Sequence, residues 1–101
     1  MITKYNSLTE LLKEHTPTKN ADQDATKILK HFRKNYPTAT HVVLFVNHDF
    51  NSSQFGAWTC MVIGPGQTFA TLEEVDGKHL HDLPSQRQYP AGYIELPRDA
   101  V

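Results

Sequence analysis

The sequence predicts an α+β fold: two N-terminal helices packed as one layer on a small antiparallel sheet of three to four strands. Three observations predict it. Apolar residues recur at helical spacing twice before residue 37, two later apolar runs are rich in β-branched residues, and turn residues separate those runs. At 101 residues the chain has the usual size of one domain, so we expect residues 1–101 to form a single domain.

The first helix is predicted from Ser7, which has a glutamate three residues later. This S-x-x-E spacing is a capping box. One face of the helix would carry Leu8, Leu11, Leu12 and His15. Pro17 predicts its end, because a proline pushes the residue before it out of the helical region.

The second helix has the clearest pattern in the sequence. Asn20 or Asp22 would cap it, and Pro37 would end it. Acidic residues lie near its start and basic residues toward its end, which complements the helix dipole. Its apolar face would consist of Ala21, Ala25, Ile28, Leu29, Phe32 and Tyr36.

The strands follow in the second half of the chain. Residues 41–46 and 57–63 are apolar on both alternating faces, which is typical of central strands. Residues 64–67 read Gly-Pro-Gly-Gln, a type II turn, after which residues 68–72 would return as an antiparallel strand. Residues 93–96 would add a short edge strand, giving the order α-α-β-β-β with a possible fourth strand.

Two helices can cover only one face of such a sheet. The other face must then be covered by the polar segment 73–92 or by a second copy of the chain. Because this segment has few apolar residues, we expect a homodimer packed through the sheet face or through residues 73–92.

Composition excludes several classes of protein. No apolar run approaches the length of a membrane span, and the N-terminus lacks the pattern of a secretory signal. The single cysteine, Cys60, cannot form an intramolecular disulfide and fits a reducing cytoplasm. We expect a cytoplasmic protein without a cofactor, since residues 64–66 do not match a phosphate-binding loop.

Two polar segments are the candidate binding sites. Residues 47–56 form a connection that is long for a hairpin, and residues 84–90 are polar, proline-flanked and aromatic at one end. The alternative for residues 47–56 is a solvated loop that its phenylalanines hold on the core, and the alternative for residues 84–90 is an ordered loop that covers the open sheet face. The candidate binding residues are His48, Asp49, Asn51, Phe55, Arg87 and Tyr89.

A histidine cluster is the alternative. On an extended chain His79 and His81 share a face, and Asp82, His48 or Asp49 would complete a metal site. The sequence would then encode a small enzyme or a metal-binding protein. The motif lacks further ligands at a defined spacing, and such histidines are more often surface residues. Cys60 has no catalytic partner in the sequence.

A third class, a nucleic-acid binder, rests on the basic residues of the second helix. The net charge of −1 argues against it, as does the assignment of Phe32 and Tyr36 to the buried face. The sequence therefore predicts a small cytoplasmic binding or regulatory module that acts through protein–protein contacts.

Overall fold

The computed structural model describes residues 2–47, 58–76, 78 and 88–96. They form an α+β arrangement of two helices packed on a four-stranded sheet, which confirms the predicted fold class. In chain order the elements are β1 (Thr3–Lys4), α1 (Leu8–His15), α2 (Ala21–Asn35), β2 (His41–Asn47), β3 (Trp58–Ile63) and β4 (Gln88–Glu95).

Both helices begin and end close to where the sequence predicts. The Ser7 side chain accepts a hydrogen bond from the backbone N–H of Glu10 at 3.2 Å, so the capping residue of α1 is confirmed. Asn20 occupies the N-cap position of α2 without a side-chain capping bond. Instead Asp24 in the first turn accepts a 2.6 Å hydrogen bond from the Thr18 hydroxyl, which joins this turn to the preceding loop.

The sheet is mixed, although the sequence predicted an antiparallel one. The strand order is β1-β4-β2-β3. The pairs β4–β2 and β2–β3 are antiparallel, whereas β1 is parallel to β4. The two-residue strand β1 lies before the helices, where the sequence gave no strand signal. Its pairing continues beyond the strand, since the Tyr5 N–H donates to the Tyr93 carbonyl at 2.8 Å.

The predicted return strand at residues 68–72 is wrong. The turn before it is correct: Gln67 N–H donates to the Gly64 carbonyl at 3.1 Å, and Gly66 has a φ of 80°. After that turn only Phe69 forms an isolated bridge to Ile63, and it is parallel. Phe69, Leu72 and Val75 recur every three residues, a spacing that suits successive turns laid across the sheet rather than a strand.

The short edge strand predicted at residues 93–96 is also wrong in its position. β4 runs over Gln88–Glu95 and lies between β1 and β2. Its register against β2 shifts between Leu44 and Phe45, where Pro90 is the partner of Phe45. A bulge tolerates a proline inside a strand, and this explains why the proline-broken sequence hid the strand.

The sheet buries side chains on both of its faces. The helix-side face packs the alternating β2 residues Val42, Leu44 and Val46 against both helices. On the opposite face, the cluster of fully buried residues consists of Val43, Phe45, Ile63 and Val75. The predicted apolarity of β2 on both faces is confirmed.

The opposite face is covered by the chain itself. Phe69, Leu72 and Val75 pack on it, and the rings of Phe45 and Phe69 stack with centroids 6.5 Å apart. The cover therefore includes residues 69–75 and begins earlier in the chain than the predicted segment 73–92. The expected homodimer rested on a lack of cover for this face, and this reason no longer holds for the described residues.

Candidate binding cleft between α2 and β3

Helix α2 lies over the helix-side face so that its last turns flank strand β3. Its first turns are buried through Ala21 and Ala25, whereas Ile28, Leu29, Phe32 and Tyr36 are only partly buried. In β3, Trp58 and Cys60 point to the same side as the helices and are partly buried as well. The apolar faces of the two elements therefore meet incompletely.

The incomplete contact leaves a cleft of about 350 Å³, here called the α2–β3 cleft. Its lining residues are Lys27, Ile28, His31, Phe32, Trp58, Thr59 and Cys60. Lys27 and His31 are exposed, while the other lining residues are half-buried. The cleft thus has an apolar and aromatic floor beneath a polar rim that includes the cationic side chain of Lys27.

The rim is held in place by contacts within α2. The Asn35 amide N–H₂ donates to His31 Nδ1 at 3.1 Å and to the His31 carbonyl at 2.9 Å. The rings of His31 and Phe32 lie 5.6 Å apart, and those of Phe32 and Tyr36 lie 5.9 Å apart. His31 and Phe32 are therefore positioned before any ligand arrives.

The later turns of α2 carry basic residues, whereas its acidic residues, Asp22 and Asp24, lie in the first turn. Residues 25–47 contain no Asp or Glu, whereas Lys27, Lys30, Arg33 and Lys34 all lie in α2. Since the whole chain has a net charge of −1, this helix concentrates positive charge that is balanced elsewhere. Burial raises the pKa of the Cys60 thiol to about 12, so the floor of the cleft stays uncharged.

Two other concave surfaces are present among the described residues. One, of about 270 Å³, is lined by Ile2, Leu72, Glu73, Asp76 and Tyr93 on the opposite side of the sheet, and its charged groups are acidic. The other, of about 740 Å³, has α2 residues such as Leu29, Lys30 and Lys34 in its lining. Of these three surfaces, the α2–β3 cleft is the one that combines aromatic rings from two elements with a lysine side chain.

One of the sequence-predicted binding residues, Tyr89, lies in the described chain. It is half-buried in β4 and packs against the helix-side core. Tyr89 therefore lies at the margin of the helix-side core, and its role as a binding residue stays a prediction. The remaining predicted residues lie outside the described ranges, and both the loop sites and the metal site stay predictions: His48, Asp49, Asn51, Phe55, His79, His81, Asp82 and Arg87.

Within the described ranges, no group of three or more His, Cys, Asp or Glu residues is placed to hold a metal ion. Neither helix in this part of the chain has the length and apolarity that crossing a bilayer requires.

Sequence reasoning missed the cleft because it treated the two faces of α2 separately. It assigned Lys27 and His31 to a solvated face and Phe32 to a buried one, and it did not single out Trp58. The available signal was the tryptophan that begins an apolar strand, together with a helix whose basic residues adjoin its aromatic residue.

Comparison of the chain with protein-family models, curated proteins and solved structures finds no match.

Proposed function

We propose that this protein is a binding module that holds a short acidic segment of a partner protein in the α2–β3 cleft. One observation carries the proposal: the half-buried rings of Phe32 and Trp58 share a cleft with the exposed side chains of Lys27 and His31. Aromatic anchors in a partly dry site, beside charges that orient the ligand, are the usual ingredients of a protein interface.

Charge supports an acidic ligand. Lys27, Lys30 and Lys34 are exposed and lie within eight positions of α2, and the carboxylates of this helix, Asp22 and Asp24, are confined to its first turn. A positive surface of this kind attracts negatively charged segments and repels basic ones, which favours encounter with the correct partner. The compartment proposed with it is the cytoplasm, where a lone cysteine such as Cys60 stays reduced.

A nucleic acid would satisfy the same charge but fits the floor less well. Beside the Phe32 and Trp58 rings, the lining includes the aliphatic side chain of Ile28 and the thiol of Cys60, and neither of these offers a base a ring to stack on. The Phe32 ring is engaged edge-on with Tyr36 at an interplanar angle of 65°. The net charge of −1 is also unlike that of proteins built to hold phosphate backbones.

A second copy of the chain is the other alternative occupant. A two-fold symmetric pair that met at the α2–β3 cleft would bring the same basic helix from each copy to one interface. The exposed lysines of the two helices, Lys27, Lys30 and Lys34 of each copy, would then repel each other. A partner that supplies carboxylates is therefore favoured over a homodimer at this surface.

The tryptophan provides a direct test. Trp58 is the only tryptophan in the chain and lines the cleft, so its fluorescence reports occupation of the site. The probe is a synthetic peptide of about ten residues, enough to span a strand of this length. In this acidic probe peptide every second residue is threonine. The positions between the threonines alternate between leucine and glutamate.

We expect a saturable change in Trp58 fluorescence with the acidic probe peptide, weakened by added salt. A matched peptide with lysine in place of each glutamate should give no saturable change. Equal responses to the two peptides, or no response to the acidic one, would contradict the proposal. Tighter binding of a single-stranded RNA than of the acidic peptide would favour the nucleic-acid alternative, and sedimentation of the free protein as a dimer would favour self-association.

A further inference from the structure

We infer that the partner segment binds as an extended strand added to the outer edge of β3, with alternate side chains entering the α2–β3 cleft. This inference rests on the proposed function and specifies how the partner is held. The partner segment would then be held by backbone hydrogen bonds to β3 in addition to the apolar contacts of its side chains.

The position of β3 in the sheet is the first support. β3 is the terminal strand in the order β1-β4-β2-β3. β2 pairs with β3 from Trp58 to Ile63 without a register shift, so β3 is straight and already formed before a ligand binds. Along its other side, the pairing seen in the described residues is the single bridge from Ile63 to Phe69 at one end.

The composition of β3 is the second support. Edge strands usually carry a charged residue, a proline or a bulge, because each of these prevents another strand from pairing with the edge. The six residues of β3 are Trp-Thr-Cys-Met-Val-Ile, and they include none of these devices. An apolar edge without such protection is a template for strand addition.

The alternation of side chains links this edge to the cleft. Trp58 and Cys60 point to the helix side, whereas Met61 and Ile63 point to the opposite face. A strand added beside β3 continues the same alternation, so every second side chain faces α2. The side chains that face α2 would lie beside Lys27 and His31 at the rim of the cleft. We therefore expect the helix-facing positions of the partner segment to alternate between acidic and apolar residues.

The size of the cleft favours a strand over a helix as the bound form. A helix with its side chains is about 10 Å across. A cleft of about 350 Å³ accepts a few side chains but does not enclose an element of that width. A strand needs only those side-chain positions, because its backbone would lie beside β3 instead of within the cleft.

Backbone methylation of the acidic probe peptide tests the inference. In a strand paired on one side, every second backbone N–H points to the neighbour. Two peptides are therefore made, one N-methylated at the odd positions and one at the even positions, with identical side chains. We expect one of them to bind at least roughly tenfold more weakly than the parent and the other to bind within about threefold of it.

Equal affinities for both methylated peptides and the parent would overturn strand addition while leaving the cleft as the binding site. Failure of the parent peptide itself would instead overturn the proposed function. Amide hydrogen exchange of β3 gives a second readout on the same protein. We expect alternate β3 amides to exchange rapidly in the free monomer and slowly with the acidic probe peptide, whereas full protection in the free monomer would show that the edge is already occupied.

Discussion

Gly92 of β4 lies directly against the ring of Tyr5. A Cβ added at Gly92 would stand 2.7 Å from Tyr5 Cε1 and 2.8 Å from Leu11 Cδ1. Neither neighbour can move freely, because Tyr5 Oη is hydrogen-bonded to His15 Nε2 at 2.7 Å and Leu11 is fully buried. The missing side chain at position 92 is therefore what allows α1 to approach the sheet.

We expect Gly92→Ala to lower the free energy of unfolding by about 1–3 kcal/mol, because the added methyl group overpacks this contact. Urea denaturation measures the loss. In the double variant Gly92→Ala, Leu11→Ala the clash with Leu11 is relieved, so the double variant should lose at least about 0.5 kcal/mol less than the sum of the two single losses. Strict additivity would show that the two positions do not touch.

Burial predicts which apolar residue of the helices matters most for stability. Leu11 is fully buried, so Leu11→Ala should cost about 3–4 kcal/mol. Phe32 is half-buried at the cleft, and Phe32→Ala should cost roughly 2 kcal/mol, below the 3–5 kcal/mol typical of a fully buried phenylalanine. The exposed Lys30 is the control, since Lys30→Ala should change stability by under about 0.5 kcal/mol. A larger loss for Phe32→Ala than for Leu11→Ala would place the cleft in the core.

The reactivity of Cys60 reports its position on the floor of the cleft. Burial raises the pKa of this thiol to about 12, and the thiolate is the reactive form. Alkylation by iodoacetamide should therefore speed up about tenfold per pH unit between about pH 8 and pH 10 in the folded protein. In the urea-unfolded protein the rate should level off near the ordinary thiol pKa of about 8.5. The same plateau in the folded protein would contradict the burial of Cys60.

His41 makes stability depend on pH just below neutrality. Burial lowers the pKa of His41 below its ordinary value, an effect opposed by the nearby carboxylates of Glu95 and Glu73 and reinforced by Lys4. In the window below about pH 6.5 the unfolded chain binds a proton more readily than the folded one. Stability should therefore fall as the pH drops from about 7.5 through the folded pKa of His41.

Thermal unfolding across this range checks the effect, with His41→Gln as the comparison. The variant should lose less melting temperature than the wild type between about pH 7.5 and pH 5.5. Glu95 does not interfere, because Lys4 lowers the pKa of its carboxyl and its titration falls in a more acid range. An identical slope for both proteins would exclude His41 as the source.

The helices could be predicted because their signals are local. Ser7 caps α1 through a residue three positions away, and the apolar stripe of α2 is read from spacing alone. β2 was equally clear, since a run of β-branched residues needs no partner to be recognised. These elements depend on contacts close in the sequence or on composition.

The elements that the sequence did not predict depend on contacts far along the chain. β1 is two residues long and forms by pairing Thr3 and Lys4 with Gly92 and Tyr93, nearly ninety positions away in the chain. β4 contains Pro90, which lies opposite Phe45 beside the register shift, and a bulge is one of the few places where a strand tolerates a proline. The α2–β3 cleft likewise needs Phe32 and Trp58 to meet, and no local pattern brings those two residues together.

A charge exchange at the rim of the cleft tests the proposed binding site most directly. Trp58 fluorescence would follow binding of the acidic probe peptide, and of the peptide with lysine in place of glutamate, to Lys27→Glu and to the matched control Lys13→Glu. Lys13 is exposed on α1, and it is not among the residues that line the cleft. We predict that Lys27→Glu binds the acidic peptide about tenfold more weakly and gains affinity for the lysine peptide, while Lys13→Glu behaves as the wild type. Equal weakening by the two substitutions, or no gain of affinity for the lysine peptide, would contradict binding in the α2–β3 cleft.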